Sequence, residues 1–189
     1  AYKRTNVYEQ ADDKLMKEIF DYAEGYRKFI DGAKTEREAC DYVEKAAKKH
    51  GYKPFKFGRR LNAGDKVYYN NRGKNMYLIK VGTADIAKDG IRIIASHIDS
   101  PRVDLKQVPL YESDGVARAK TQYYGGLRKY QWAAIPLALH GTIVKADGTA
   151  FSVAIGEDDR DPVFYISDLL PNLAAKQNAK PLGEGIGGE

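Results

Sequence analysis

The short apolar run at residues 91–96, "IRIIAS", constrains the fold of this chain more than any other feature. Its β-branched residues favour a strand, and the run is apolar enough to lie inside a sheet rather than at its edge. An internal strand needs a neighbouring strand on each side and a covering layer on each face.

Two helical patterns precede the run. Residues 12–31 repeat apolar side chains at intervals of three and four, with an aspartate able to cap the first turn. A second helix begins at "TERE", where Thr35 is a good N-cap and Glu38 completes a capping box. Gly51 ends this helix, and His50 in its last turn is interpreted as a cap that compensates the helix dipole rather than as a metal ligand.

Strand patterns follow the helices. Residues 66–69 and 75–81 flank a turn-rich connection at residues 70–74, which predicts a hairpin. Two helices, a hairpin and a buried strand together indicate an α/β layered domain.

The second half of the chain is mainly β in pattern. Residues 141–155 predict another hairpin that turns at residues 146–148, residues 162–166 predict a further strand, and residues 167–178 predict a short helix capped by its first residue, Ser167. The hairpin offers one core a set of apolar side chains: Ile143, Val144, Phe151, Val153 and Ile155.

This change of pattern places a domain boundary near residues 99–104. The predicted domains are therefore residues 1–100 and residues 101–189.

Composition narrows the function classes. The formal net charge is +5, but the signs are mixed along the chain. Basic clusters at residues 45–49 and 53–60 have the composition of a nucleic-acid surface, yet no recognised motif supports that function, and a solvated helix end with a loop explains them. Cys40 is the single cysteine, so we expect buried filler and a reducing, cytoplasmic compartment. The sequence contains no stretch of about 18 apolar residues, so it predicts no membrane span.

The apolar run leads into His97 and Asp99. Residues i and i+2 of a strand share one side, so both side chains can point into one cleft. A neutral imidazole is a good Zn²⁺ ligand and a nearby carboxylate can orient it, while Pro101 stiffens the exit from the pair. A structural histidine bonded to a neighbouring aspartate is the common alternative at this spacing.

Longer motifs support the metal hypothesis. The segment "ASHIDSPRVDLK" is preceded by "AKTERE" and "KVYYNNRGK" and followed by "TQYYGG" and "FYISDLLPNLA". Together, and in this order, they closely resemble the M18 family of metalloaminopeptidases, the aminopeptidase I and aspartyl aminopeptidase group, in its bacterial branch. The resemblance implies an α/β fold: the N-terminal part of a globular zinc-exopeptidase domain, followed by a β-rich inserted domain that serves subunit assembly.

The resemblance also implies site residues and partners. By position, His97 resembles the first zinc ligand and Asp99 the catalytic carboxylate that holds a metal-binding imidazole in place. The implied partners are two zinc ions, or cobalt or manganese, together with peptide substrates and further copies of the chain in a homododecamer. Neither nucleic acid nor membrane is expected as a partner. Two ions about 3.5–4 Å apart would polarise the scissile carbonyl and lower the pKa of a bridging water.

The remaining metal ligands are expected elsewhere. The family places a bridging carboxylate, a general-base glutamate and further ligands after the insert, so the resemblance implies the N-terminal portion of a longer peptidase. We expect this chain alone to be inactive and to bind zinc weakly. The alternative function is an inactive fragment that acts as an assembly module. Half a parallel sheet would also leave an unpaired edge and uncovered apolar faces.

Two polar residues lie in the predicted insert. His140 is interpreted as a hydrogen-bonded structural histidine, with a subunit contact as the alternative. Asp168 falls in a segment that, in aspartyl-specific relatives, reaches towards a neighbouring subunit's substrate pocket. An acid there would repel acidic N-terminal side chains, so Asp168 is a candidate substrate-binding residue that favours neutral, hydrophobic or basic ones.

Overall fold

The computed structural model describes residues 4–186 of the 189-residue chain. The chain divides into two compact units, Ala1–Asp99 and Ser100–Glu189. Compactness does not say what either unit does, so the peptidase part and the assembly insert at residues 1–100 and 101–189 stay predictions. None of the helices in the described range has the length and apolar content needed to cross a bilayer.

Three helices open the first unit: α1 Val7–Gln10, α2 Asp13–Gly32 and α3 Glu36–Lys49. The side chain of Asp12 caps α2 by accepting the Leu15 amide at 2.8 Å. At the start of α3, Thr35 and Glu38 form the reciprocal bonds of a capping box. Both predicted helices and the predicted box are confirmed.

The end of α3 also follows the prediction. His50 is the C-cap, Gly51 adopts a left-handed φ of 81°, and the Tyr52 amide donates to the Ala47 carbonyl at 3.0 Å. The ammonium of Lys66 donates to the His50 carbonyl at 3.3 Å. Lys66, together with Lys48 and Lys49 in the last turn, therefore places positive charge at the negative end of the helix dipole, and the dipole-compensating role of His50 stays a prediction.

A three-stranded sheet follows, with the strands in the order β1-β2-β3: β1 Lys53–Pro54, β2 Lys66–Asn71 and β3 Asn75–Lys80. The antiparallel β2–β3 pair is the predicted hairpin. Its turn places Arg72 and Gly73 at φ values of 61° and 66°. Strand β1 runs parallel to β2 within a stretch that the sequence pattern assigned to a loop.

The core of the first unit lies where α3 meets β2. Its buried side chains are Ala39, Cys40, Ala47, Val67 and Tyr68. Cys40 is completely buried as predicted, and burial raises the pKa of its thiol, which opposes a nucleophilic role. The Glu44 carboxylate accepts hydrogen bonds from Tyr68 Oη at 3.2 Å and Asn70 Nδ2 at 2.9 Å, which join the helix to the strand.

The predicted strand at residues 91–96 is wrong. A short helix, α4 Ile86–Asp89, precedes it, and residues 90–101 form neither helix nor strand. Ile91, Ile93 and Ile94 are exposed. An internal strand needs ladder partners and apolar cover, and the described residues provide neither, so β-branched side chains alone do not produce a strand here.

Two antiparallel hairpins dominate the second unit: β4 Arg102–Ser113 with β5 Val116–Tyr124, and β6 Leu139–Val144 with β7 Ala150–Ile155. The mainly β pattern is thus confirmed, as is the turn at residues 146–148. The β4–β5 ladder shifts register between Leu105 and Leu110, a stretch that includes Pro109, which has no amide hydrogen to donate. A 3₁₀ turn at Lys129–Gln131 and a short helix, α5 Ala175–Asn178, complete the unit.

Three expectations for the second unit are wrong. Residues 162–166 contribute only isolated bridges, one of which pairs Phe164 with Leu137. The predicted helix at residues 167–178 shrinks to α5, because Pro171 disfavours helical backbone at the residue before it. The hairpin side chains Ile143, Val144 and Phe151 are exposed rather than collected into one core.

Candidate metal-binding site

His97 and Asp99 contact each other directly. The Nδ1 atom of His97 lies 3.0 Å from the backbone carbonyl oxygen of Asp99 and 3.2 Å from its Oδ1 atom. A backbone carbonyl can only accept a hydrogen bond, so Nδ1 carries the proton. This tautomer leaves the lone pair on Nε2, which is the atom available to a metal ion.

The local backbone brings the pair together. Residues 90–101 are not a strand, so the alternation of side chains along a strand, which predicted this contact, does not produce it. His97 instead folds its ring back onto the main chain two residues later, and the carboxylate provides a second acceptor. The predicted contact therefore exists, although the strand geometry used to predict it does not.

The imidazole is open to its surroundings. The side chain of His97 is 84% exposed and that of Asp99 is 40% exposed. The predicted placement of both side chains in a cleft is therefore not what the described residues show. No other described residue hydrogen-bonds to Nε2 of His97, so this nitrogen can accept a metal without breaking an existing contact.

The donor set fits one ligand of a zinc site. A neutral imidazole whose second nitrogen donates to a carboxylate or carbonyl is the usual form of a zinc-binding histidine. Within residues 4–186, however, no three His, Cys, Asp or Glu side chains come close enough together to hold a metal ion. The pair can therefore contribute to a metal centre but needs donors from elsewhere to complete one.

His140 has a different environment. Its Nε2 atom lies 2.8 Å from Oε1 of Glu157, and its side chain is 14% exposed. It lies on β6, where it pairs with Ala154 of β7. This placement confirms a hydrogen-bonded histidine, and its second interpretation as a subunit contact stays a prediction.

Asp168 caps the backbone next to it. Its Oδ1 atom accepts from the Leu169 amide at 2.8 Å and from Nε2 of Gln177 at 2.9 Å. The hydrogen bond from Gln177, followed by that from the Leu169 amide, lowers the pKa of the Asp168 carboxyl. Asp168 is therefore a carboxylate at neutral pH, as its proposed effect on substrate choice requires.

Two clefts in the first unit lie apart from these residues. An apolar cleft of about 570 Å³ is lined by α2, α3 and the sheet, including Phe29, Tyr42 and Leu78. A smaller cleft of about 340 Å³ is lined by Lys53 and Arg59, among others. Neither includes His97 or Asp99.

Comparison with known proteins gives a consistent result. Residues 29–184 match the family described as aminopeptidase I zinc metalloprotease (M18). A probable M18 family aminopeptidase 1 of Clostridium acetobutylicum is 47% identical over 188 residues, which cover 97% of this chain and 40% of that protein. The crystal structure of an M18 family aminopeptidase from Thermotoga maritima matches all of this chain with a TM-score of 0.88 and 36% identity, and aminopeptidase I from Clostridium acetobutylicum matches 98% with a TM-score of 0.84 and 42% identity.

The chain matches only part of the length of each relative. This chain spans about 40% of the length of these relatives. The match includes the His97 to Asp99 segment and continues through both hairpins of the second unit.

Proposed function

Because the chain belongs to the M18 family of aminopeptidase I zinc metalloproteases, we propose that the full-length protein is a metal-dependent aminopeptidase that releases N-terminal amino acids from peptides. The observation that carries the proposal is the His97–Asp99 contact, which lies inside the matched region and has the form of an oriented metal ligand. Sequence identity of 47% to a named aminopeptidase supports the activity.

His97 would hold zinc through Nε2. Asp99 would keep the ring in the required tautomer, because its carbonyl and its carboxylate accept hydrogen bonds from Nδ1–H. Bound zinc supplies Lewis-acid polarisation of a carbonyl and lowers the pKa of bound water. In this arrangement Asp99 contributes to catalysis as a positioning residue for His97.

The other metal ligands would come from outside residues 4–186. No group of three donor side chains is present within that range, and the chain covers about 40% of its relatives. We therefore expect the 189 residues alone to be inactive and to bind zinc weakly. A second divalent ion, with cobalt or manganese as alternatives to zinc, belongs to the same proposal.

Self-association and location are also proposed. A dodecamer structure of Saccharomyces cerevisiae mApe1 shares the fold of this chain, with a TM-score of 0.66 at 24% identity. We propose that the full-length protein likewise forms a homo-oligomer, with twelve subunits, in the cytoplasm. Its substrates would be peptides, and neither nucleic acid nor membrane would be a partner.

Substrate choice is assigned to Asp168. Its ionised carboxylate is exposed and held by Gln177 and the Leu169 amide. If this segment approaches a neighbouring subunit's substrate, like-charge repulsion disfavours acidic N-terminal residues. Neutral, hydrophobic or basic residues are then preferred.

One observation favours a second candidate function. The hairpins of the second unit expose several apolar side chains, including Val108, Leu110 and Val144. Apolar surface of this kind commonly marks a protein interface. The alternative is therefore an assembly module that carries no chemistry of its own.

An assay on the full-length protein separates the two functions. Purified protein is stripped of metal, reloaded with zinc, cobalt or manganese, and tested on chromogenic Leu, Lys, Asp and Glu substrates. Metal-dependent release of the N-terminal residue supports the aminopeptidase. Self-association without hydrolysis under every metal supports the assembly module instead.

A further inference from the structure

Pro101 and Arg102, which follow Asp99 and Ser100, make close contacts within the second unit. Pro101 packs against Gly125: a methyl group at Gly125 would meet the Cα, Cβ and Cγ atoms of Pro101 at 3.4 Å. Gly125 also has a left-handed φ of 73°, a conformation that side chains other than glycine rarely adopt. Glycine at this position therefore accommodates the left-handed backbone that follows β5 and lies against Pro101.

The guanidinium group of Arg102 contacts Asp104, Ser100 and Tyr124. Its Nε atom donates to Oδ1 of Asp104 at 2.7 Å, its Nη1 atom donates to the Ser100 carbonyl at 3.4 Å, and its Cζ atom lies 4.1 Å from the ring centre of Tyr124. Arg102 and Tyr124 are direct partners in the β4–β5 ladder, so the stack crosses the two strands.

The cluster is partly shielded from solvent. The side chain of Arg102 is 24% exposed and that of Asp104 is 30% exposed. An ion pair that is partly shielded and stacked on an aromatic ring resists screening better than a fully exposed pair. The planar guanidinium is also the only cationic group that can pair and stack in this way at once.

The geometry points to a role for this cluster: Arg102 is a positioning residue for the metal-binding pair. It holds the Ser100 carbonyl and the start of β4, and Ser100 is joined to Asp99 by a peptide bond. The backbone that presents the Asp99 carbonyl and carboxylate to His97 is therefore restrained at its C-terminal side. This inference rests on the proposed function, because it concerns how tightly His97 holds zinc.

The "TQYYGG" segment provides both partners of this cluster on the β5 side. Tyr124 provides the face on which Arg102 stacks, and Gly125 adopts the left-handed φ at the turn that lies against Pro101. Tyr124 is the last residue of β5 and pairs with Arg102 at the start of β4, and Gly125 follows it directly. The motif thus serves the segment that follows the metal ligand.

The test measures zinc affinity in the full-length protein by competition with a chelator. Arg102→Met keeps most of the side-chain volume but loses the charge and the guanidinium N–H donors. We expect its zinc dissociation constant to rise about tenfold, which is the lower end of the range for losing a residue that supports a metal ligand. Arg102→Lys keeps the charge but not the guanidinium donors or the planar stack. On a logarithmic scale it should restore less than half of the zinc affinity that Arg102→Met loses. If Arg102→Met does not fold, Arg102→Lys carries the test.

Arg118→Met is the matched control. Arg118 lies on β5 of the same hairpin and pairs with Asp114 at 3.6 Å, far along the strand from Pro101. It should leave the zinc dissociation constant unchanged within twofold. A second readout needs no metal: hydrogen exchange of the amides at residues 97–102 in the metal-free protein should be faster in Arg102→Met and unchanged in Arg118→Met.

A double-mutant cycle checks the mechanism. Tyr124→Leu should weaken zinc binding in the same direction, and the combined variant should be no weaker than the weaker single variant, because both act through one stack. Unchanged zinc affinity and exchange in Arg102→Met and Arg102→Lys would overturn the inference while leaving the aminopeptidase intact. Failure of the unmutated protein to bind zinc or hydrolyse any substrate would overturn the proposed function and the inference with it.

Discussion

The ring of His97 is held more closely by the main chain of Asp99 than by its side chain: Nδ1 lies 3.0 Å from the carbonyl oxygen and 3.2 Å from Oδ1. Two acceptors therefore share one proton. The orientation of the ring does not depend on the carboxylate alone, and this division leads to unequal effects for substitutions of the two residues.

For Asp99, we expect a partial loss of metal binding. Asp99→Ala removes the carboxylate but keeps the backbone carbonyl. The zinc dissociation constant of the full-length protein should therefore rise about tenfold, and zinc binding should not be lost completely. Chelator competition measures this value. Asp99→Asn retains a side-chain oxygen acceptor and should bind zinc more tightly than Asp99→Ala. Equal affinities for Asp99→Ala and the unmutated protein would show that the carboxylate does not support the ligand.

Substitution of His97 should have a larger effect. His97→Gln removes the ring nitrogen that is proposed to bind zinc, so bound zinc per subunit should fall by at least one ion and hydrolysis should be lost. Metal analysis after gel filtration measures the stoichiometry. His50→Gln is the control, because His50 is the C-cap of α3. Full metal content in His97→Gln would remove His97 from the centre.

Asp168 should influence substrate selectivity. Asp168→His, in the full-length protein, replaces a carboxylate whose pKa is lowered by hydrogen bonds from Gln177 and the Leu169 amide. Loss of the repulsion should raise kcat/KM for Asp and Glu substrates several-fold relative to Leu. Gln177→Ala distinguishes the effect of the Asp168 charge from the effect of its hydrogen bond, because it removes the hydrogen bond and keeps the carboxylate. An unchanged ratio in Asp168→His would exclude Asp168 from substrate selection.

The Glu44 carboxylate should make the packing of α3 on β2 depend on pH. Its pKa is lowered chiefly by the Asn70 side chain, then by Lys48, whose ammonium lies 2.7 Å away. A depressed folded-state pKa gives stability that is complete above the unfolded value, near 4.3, and is lost as the pH falls through the folded value. Hydrogen bonds to charged groups contribute about 1.5–3 kcal/mol, and solvent screening lowers this contribution at a partly exposed carboxylate.

Hydrogen exchange in the full-length protein tests the Glu44 prediction. Amides of α3 and β2 should lose protection below about pH 4, after correction for intrinsic rates. Glu44→Gln should reduce protection at pH 7 and flatten its pH dependence. Glu24→Gln, which removes an exposed pair with Arg27 on α2, should leave both unchanged. A Glu44→Gln profile identical to that of the unmutated protein would contradict the prediction.

Local features were predictable because their partners are close in sequence. The capping box joins Thr35 to Glu38, three residues apart, and the turns at residues 70–74 and 146–148 need only nearby glycine, asparagine or aspartate. The His97–Asp99 contact belongs to the same class, since it spans two residues. Its role as a metal ligand came from family resemblance rather than from spacing.

By itself, the sequence determined the helix pair, the two hairpin turns and the family. Tertiary structure decided whether a β-prone segment becomes a strand: residues 53–54 pair with β2, whereas the more apolar residues 91–96 find no partner among the described residues. It also decided that Arg102 stacks on Tyr124, 22 positions away. The physical reason is the same in each case. Ladder hydrogen bonds and cross-strand stacks join residues that are distant in sequence, and the pattern within one segment does not show whether such a partner lies beside it in the fold.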